Sequence, residues 1–419
     1  MSEAVRIRAM SVLTPMADDP DELFQRVQQG GSAVTYWKND LGPRCSSKIG
    51  GDLSDYPIGE ALKALRAELP REMASRVRRI AGRAPRSLQY TLWLALQAWK
   101  SAGPSDWSSK RTGVIVAGHN LNRSHVRENY LQFEQEPLLM DPLFSIFALD
   151  TTHVSAVSDV LGITGVSHTV GAACASGAQA FRTAQMEISA GHLDRVYVVS
   201  PVYEPTPPDL EALAQIGAIA LDGIDGDPSD ASRPFEMGRK GFVPAHGGAC
   251  FVVDRILPQN QNEPGLVLRS AAACVDGQYE PVPNKDGQIR AMSEALDQAG
   301  ISPSDIGFVS AHATSTPLGD RVEMEALRAV FDEPVPVTAP KASLGHTLWS
   351  SASVETVLAL KQLQARTLPA LLNFKSPDPE CAWDQGRDTV RHFESPFVLK
   401  NSFGFGGYNC AMVFETRGT

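Results

Sequence analysis

One cysteine sits where a nucleophile could be made. The stretch Thr169-Val170-Gly171-Ala172-Ala173-Cys174-Ala175-Ser176-Gly177 sets Cys174 between a short apolar lead-in and a helix-compatible run to about Ala190. Small neighbours permit a sharp strand-to-helix turn and leave room for a substrate at the sulfur. A thiol at a helix N-terminus feels the positive end of the helix dipole, which favours the thiolate. The same pattern also suits a buried cysteine at a helix packing contact.

Three further segments carry groups that could take part in catalysis. Val309-Ser310-Ala311-His312-Ala313-Thr314-Ser315-Thr316-Pro317 runs an apolar strand into a histidine and hydroxyl-rich turn residues. Thr316 before Pro317 reads as an N-cap with proline at the first helical position. Lys341-Ala342-Ser343-Leu344-Gly345-His346-Thr347 places His346 after a glycine and before a helix, with Lys341 and Glu355 on either side of the turn and able to pair. Asn401-Ser402-Phe403-Gly404-Phe405-Gly406-Gly407-Tyr408 is a Gly/Phe-rich stretch that can expose backbone N–H groups to an oxyanion. Each segment has a plainer reading: a hydrogen-bonded core histidine, a surface turn with a solvated lysine, a tight turn before a strand.

The elements around these segments alternate. Val114–Gly118, Val196–Ser200, Gly248–Val253, Leu266–Leu268 and Phe308–Ser310 read as buried strands, and helical patterns run over Ile289–Ala299 and Ala352–Leu363. Such alternation predicts α/β layers with helices covering a sheet. The polar stretch Asn260–Gly265 is the best junction between two halves, 1–258 with the cysteine and 259–419 with the two histidines.

With 38 Lys+Arg against 48 Asp+Glu, the 419-residue chain carries a formal charge of −10, which argues against a nucleic-acid partner. No apolar run approaches the ~18 residues of a membrane span. Met1–Arg6 leads into no apolar signal-peptide region, so a cytoplasmic protein is expected. The six cysteines are far apart with no zinc spacing, so free thiols and no metal are expected. His119, His125, His153, His168, His192 and His392 share no ligand spacing and read as structural or surface groups. Arg76-Val77-Arg78-Arg79, with Arg83 and Arg86, reads as a solvated basic face.

Taken together and in this order, the four segments resemble the β-ketoacyl synthase (ketosynthase) family of condensing enzymes on the thiolase fold. Arg233-Pro234-Phe235-Glu236, Arg239-Lys240-Gly241-Phe242-Val243 and Leu13-Thr14-Pro15 add to the likeness, which covers about residues 5–415. The resemblance implies a five-layered α-β-α-β-α arrangement of two similar halves with mixed sheets, the helix after Cys174 forming part of the central layer. It implies Cys174 as the acyl-accepting nucleophile, and His312 and His346 as donors to the malonyl thioester carbonyl. Lys341 and Glu355 would organise the histidine loop. The N–H groups of Cys174 and Phe405 would form an oxyanion hole, with Phe405 also a gate, and Thr314 and Thr316 would lie near the pantetheine arm. It further implies substrates carried on the phosphopantetheine of an acyl carrier protein, no metal or redox cofactor, and a homodimer.

The chain also departs from the family pattern. Ala245-His246-Gly247-Gly248-Ala249 stands for G-E-G-A-G, Ala313 for the glycine of H-G-T-S-T, Trp349-Ser350-Ser351-Ala352-Ser353 for a small G-A-A-G run, and Tyr408 for a threonine. Trp349 is the largest change, and it is expected to reduce the room for an acyl group. Gly113–Leu121 and Leu149–His153 resemble a subgroup of free-standing malonyl-carrier-protein decarboxylases of polyketide β-branching, which usually carry serine at the place of Cys174. Two activities are therefore expected of such a site: decarboxylative condensation on Cys174, or decarboxylation of a malonyl-carrier protein alone. A non-enzymatic chain-length partner typically lacks the nucleophile, so Cys174 argues against that role.

Overall fold

The computed structural model describes residues 3–39, 41–223, 225–280, 282–386 and 390–418; Met1 and Ser2 of the N-terminal stretch lie outside them. Ten strands form the main sheet: β1 (Val5–Leu13), β2 (Thr112–Ala117), β3 (His168–Val170), β4 (Arg195–Ser200), β5 (Gly248–Arg255), β6 (Gly265–Val275), β7 (Ile306–Ser310), β8 (Val337–Thr338), β9 (Phe397–Gly404) and β10 (Tyr408–Arg417). Their spatial order is β8-β7-β9-β10-β6-β1-β5-β4-β2-β3. Read outward from the centre, the first half runs 1-5-4-2-3 and the second 6-10-9-7-8, the same path displaced by five strands. The strand directions repeat too. β1–β5 and β5–β4 are antiparallel while β4–β2 and β2–β3 are parallel, and β6–β10, β10–β9, β9–β7 and β7–β8 follow the same sequence of senses. Within the main sheet the halves meet where Val5–Ile7 of β1 pair with Leu266–Leu268 of β6.

Period-two alternation sorts the strand side chains into layers. Val196, Val198, Phe251 and Val253 point inward to a core shared with Leu268, Val398, Met412 and Phe414 of the second half. Their neighbours Tyr197, Val199, Cys250 and Val252 point outward onto a separate cluster with Leu62, Val77, Leu88, Trp93 and Val157. Those residues belong to α1 (Ile58–Arg66), α2 (Arg71–Ala81), α3 (Arg86–Ala102) and α4 (Thr151–Leu161). In the second half Val309, Leu399, Ala411 and Val413 meet Met292, Leu296, Met324 and Leu327. A strand buried on both faces is expected to be largely apolar, as the middles of β4 and β5 are, while Arg195 and Asp254 at their ends pair with each other.

The inner core is filled by two helices, α5 (Ser176–Ser189) and α8 (Ser351–Ala365); α6 (Lys285–Ala299) and α7 (Pro317–Val330) cover the second half from outside. The layers are therefore helix, sheet, helix, sheet, helix. α8 has no polar face because nearly all of its residues are buried. The two central helices touch closely: a Cβ on Gly177 would lie 2.4 Å from Ser353 Oγ. Phe181 of α5 packs edge-on against Phe251 (4.8 Å) and Phe414 (5.9 Å), bolting the helix to both halves of the sheet.

Phe181→Ala removes both contacts at once. It is expected to cost ~3–5 kcal/mol and to lower the midpoint of chemical unfolding; an unchanged midpoint would show that the layers are held elsewhere.

Candidate active site

The chain repeat brings equivalent strand ends together. β3 leads into the Cys174 turn and α5, β7 into the His312 loop and α7, and β8 into the His346 loop and α8. The turn from β9 to β10 supplies Phe405.

The Cys174 turn is tight. Ala173 takes a left-handed φ of 47°, and its carbonyl accepts from Ser176 Oγ at 2.6 Å while the same hydroxyl accepts from the Ala172 N–H at 2.8 Å. Ser176 thus stabilises a conformation that an L residue adopts reluctantly. Gly404 lies against this turn. A Cβ there would be 2.5 Å from the Ala172 carbonyl oxygen and 3.2 Å from the Cys174 nitrogen. That approach sets the Phe405 N–H, together with the N–H of Cys174 itself, at the buried sulfur. The Cys174 thiol is pushed up to about 12, first by burial and then by Glu355, against the lowering influence of Lys341 and the two N–H groups. The expected lowering by the helix dipole is thus overridden, because desolvation of the thiolate outweighs it.

His312 is held by its own backbone. Glu323 of α7 accepts from the His312 N–H at 2.9 Å and the Ala313 N–H at 2.7 Å, and from Asn401 Nδ2 at 3.1 Å. Ala313 keeps a φ of 37° without the family's glycine. Lys341 Nζ donates to the His312 carbonyl at 2.5 Å and lies 3.3 Å from His312 Nδ1. An ammonium only donates, so Nδ1 accepts and Nε2 carries the proton. At His346, Nδ1 accepts from the Leu348 N–H at 3.2 Å, which again leaves Nε2–H as donor. Both imidazoles stay neutral, their pKa values driven well below the usual range by burial first and then by Lys341 and Lys400, with His346 adding to the effect on His312. The two rings stand 5.7 Å apart at 85°.

Lys341 is fully buried, the opposite of a solvated surface lysine. Its Nζ is 2.5 Å from Glu355 Oε1, and Lys400 Nζ is 2.8 Å from Glu355 Oε2. Sequence reasoning missed Lys400 and Glu323. Lys400 had a signal, a charge between Phe397-Val398-Leu399 and Asn401 in a buried strand. Glu323 had none beyond its place on the helix after Pro317. Thr316 caps that helix by accepting from the Gly319 N–H, and its hydroxyl is 2.9 Å from that of Thr314.

Cys174, His312, His346, Thr314, Thr316 and Phe405 line one cavity of about 420 Å³. Trp349 does not line it. His246, at the departed acidic position, accepts from the Leu53 N–H at 3.0 Å beside Asp52 and belongs to a separate cavity. The arginine cluster is less free than its composition suggests: Arg76 and Arg79 both bind Asp159, and Arg86 donates to the carbonyls of Leu53, Ser54 and Tyr56. Among the described residues no His, Cys, Asp and Glu group is arranged to hold a metal, and all six cysteines are free.

Residues 2–257 match the family model of the beta-ketoacyl synthase N-terminal domain, and residues 265–375 that of its C-terminal domain. The chain belongs to the β-ketoacyl synthase family. It is 28% identical to the polyketide biosynthesis malonyl-ACP decarboxylase PksF of Bacillus subtilis (strain 168), over 85% of each chain. It is 25% identical to 3-oxoacyl-[acyl-carrier-protein] synthase 2 of Coxiella burnetii, over 98% of each chain. A beta-ketoacyl synthase from Burkholderia phymatum STM815 superposes over the full length of both chains with a TM-score of 0.86 at 23% identity. The type II polyketide ketosynthase AntDE, solved with its acyl-carrier protein AntF, gives 0.85 at 21% identity over 99% of this chain. The fold is therefore that of the ketosynthases, as the layers and the repeated topology indicate.

A thiol with so high a pKa should react with iodoacetamide at a rate rising about tenfold per pH unit between roughly pH 7 and 9, because the thiolate is the reacting form. Peptide mass spectrometry reads this at Cys174. A plateau below pH 8 would contradict the burial-dominated thiol.

Proposed function

We propose that this β-ketoacyl synthase carries out decarboxylative condensation on Cys174. The single observation behind this reading is the pair of histidines whose Nδ1 atoms are both occupied as acceptors, which leaves two neutral Nε2–H donors in one cavity with the thiol. Cys174 Sγ attacks an acyl thioester; the new S–acyl bond forms, the old C–S bond breaks, and the thiol proton leaves with the departing thiol. The N–H groups of Cys174 and Phe405 stabilise the oxyanion of that step. A malonyl thioester then enters with its carbonyl at His312 and His346. Its bond to the carboxylate breaks, CO₂ leaves, and the electron pair moves to an enolate held by the two N–H donors. The enolate carbon attacks the acyl carbon, and Cys174 departs as thiolate, taking up a proton to restore the thiol. Lys341 and Glu355 position His312, and Thr314 and Thr316 offer hydroxyls to the pantetheine arm. Side chains and backbone carry every step, with substrates arriving on the phosphopantetheine of an acyl carrier protein, the class of partner bound by AntDE. Free thiols suit a reducing, cytoplasmic compartment.

A second reading is decarboxylation alone, giving an acetyl-carrier protein. The likeness to PksF favours it, and so does the aromatic packing behind Cys174. Cys174→Ser separates the two: it is expected to abolish acyl loading and condensation while malonyl-carrier protein still loses CO₂, followed by intact mass of the carrier. His312→Ala or His346→Ala should slow decarboxylation by about 10²–10³. Full decarboxylation by either histidine variant would remove the enolate role.

The segment from helix Arg123–Gln135 through Leu149 leaves Tyr130, Phe133, Leu138, Leu139, Ile146 and Leu149 exposed. Large apolar side chains gathered in one exposed segment suit a protein contact, and we assign it to a second copy of the chain. Leu138→Lys with Leu139→Lys should shift sedimentation from dimer toward monomer; an unchanged dimer would place the contact elsewhere.

A further inference from the structure

Condensation requires two groups at Cys174 at once, an acyl chain on the sulfur and a malonyl thioester at the histidines. The cavity of about 420 Å³ lies on the histidine side and must take the malonyl unit and the end of its pantetheine arm. An acyl chain of any length must therefore leave the sulfur in the other direction.

On the side of α8 the surroundings of the nucleophile turn are closely packed. Ser351 Oγ donates to the Cys174 carbonyl at 3.2 Å, which ties the start of α8 to the nucleophile turn. Two residues earlier Trp349 packs its ring 4.4 Å from that of His119 and 5.3 Å from that of Tyr203. Trp349 Cβ is 3.2 Å from where a Cβ on Gly118 would lie, and the His119 ring is 3.6 Å from the same point on Gly171, three residues before Cys174. Tyr203 is buried, and Leu348, Ile219 and Phe242 pack around it. The lining is also the wrong chemistry for an alkyl chain. Trp349 Nε1 and His119 Nε2 are buried and find no hydrogen-bond partner among the described residues. An apolar chain threaded past them would offer neither atom the partner it lacks and would exclude any water that could supply one.

We propose that Trp349, braced by His119 and Tyr203, is the specificity wall of this enzyme and restricts the acyl group on Cys174 to acetyl size. The inference rests on Cys174 being the acyl-accepting residue. Close-packed interiors yield little to added methylenes, and a single methylene in an apolar pocket changes discrimination by ~10–200-fold. An octanoyl group exceeds acetyl by several methylenes.

The test uses the full-length protein and acetyl-, butyryl- and octanoyl-N-acetylcysteamine, thioesters that need no carrier protein. Loading of Cys174 is timed by intact and peptide mass spectrometry in the wild type, Trp349→Gly, Trp349→Leu and His119→Ala. In the wild type, octanoyl loading is expected to be at least about tenfold slower than acetyl. The octanoyl-to-acetyl ratio should rise at least about tenfold in Trp349→Gly and by less in Trp349→Leu, which keeps a bulky side chain should the glycine variant fail to fold. Equal loading of the two acyl groups in the wild type, or a ratio unmoved by both Trp349 variants, overturns the wall. Methyl and octyl methanethiosulfonate provide a second measure, since they modify the thiol by disulfide formation with release of methanesulfinate and require no acyl transfer. If no thioester loads but the octyl-to-methyl ratio rises in Trp349→Gly, the wall stands and the condensing reading falls. If that ratio too is unchanged, the wall falls.

Discussion

Glu355 holds two lysine ammoniums in the interior of this protein, and the proposed active site is built outward from that point. The carboxylate sits on the central helix α8, Lys341 on the loop before it, and Lys400 on strand β9; all three are essentially without solvent. Taking such charges out of water is costly, and only close pairing with additional hydrogen bonds makes the arrangement tolerable. The additional bonds are what matter chemically. Lys341 spends its remaining donor capacity on the carbonyl and Nδ1 of His312, and Lys400 donates to the Asn401 carbonyl in the strand that leads to Phe405. One buried anion thereby links the orientation of a histidine to the position of an oxyanion donor.

The excess of cations over this carboxylate also sets the resting charge of the site. Two ammoniums beside two imidazoles make a third and fourth positive charge unfavourable, and burial acts in the same direction. The histidines are left as neutral N–H donors, able to meet negative charge when it develops on a thioester oxygen. The thiol is neutral as well, since burial outweighs the nearby lysine. A site in which the reacting groups rest uncharged gains most when an oxyanion forms, because its donors are already aligned and need no reorganisation.

The repeated half-fold explains why widely separated segments converge. Each half sends a helix into the shared core from the end of its outermost parallel strand, and those two helices start beside each other at Cys174 and His346. That much was readable: strand ends, the Thr316 cap, the Lys341–Glu355 pairing and the order of the four segments all follow from local patterns. The rest depended on tertiary burial. Lys400 is marked in the sequence only as a charge beside an apolar run, and its partner Glu355 becomes evident only once the sheet is closed over both. Glu323 looks like any charge on a helix until His312 and Ala313 turn their N–H groups onto it. The thiol was read from the helix dipole, which is a local effect, whereas its proton affinity is governed by desolvation, which only the folded environment supplies. Arg78, Arg79 and Arg83 are exposed, as a solvated face should be, whereas the anchoring of Arg76 and Arg79 by Asp159 depends on a partner remote in sequence.

Trp349 shows how a single departure from the family pattern acts through the geometry around it. The start of α8 cannot move away from the Cys174 turn, because Ser351 is bonded to the Cys174 carbonyl and Gly177 touches Ser353. A large ring placed just before that contact must therefore displace something other than the helix. It lies instead against His119 and Tyr203, occupying space behind the nucleophile without entering the histidine-side cavity. The decarboxylating groups are untouched by this change, while the room for a chain on the sulfur is reduced. In this chain the balance between condensation and decarboxylation alone then turns on what fits behind Cys174, with the same two histidine donors generating the enolate in either case.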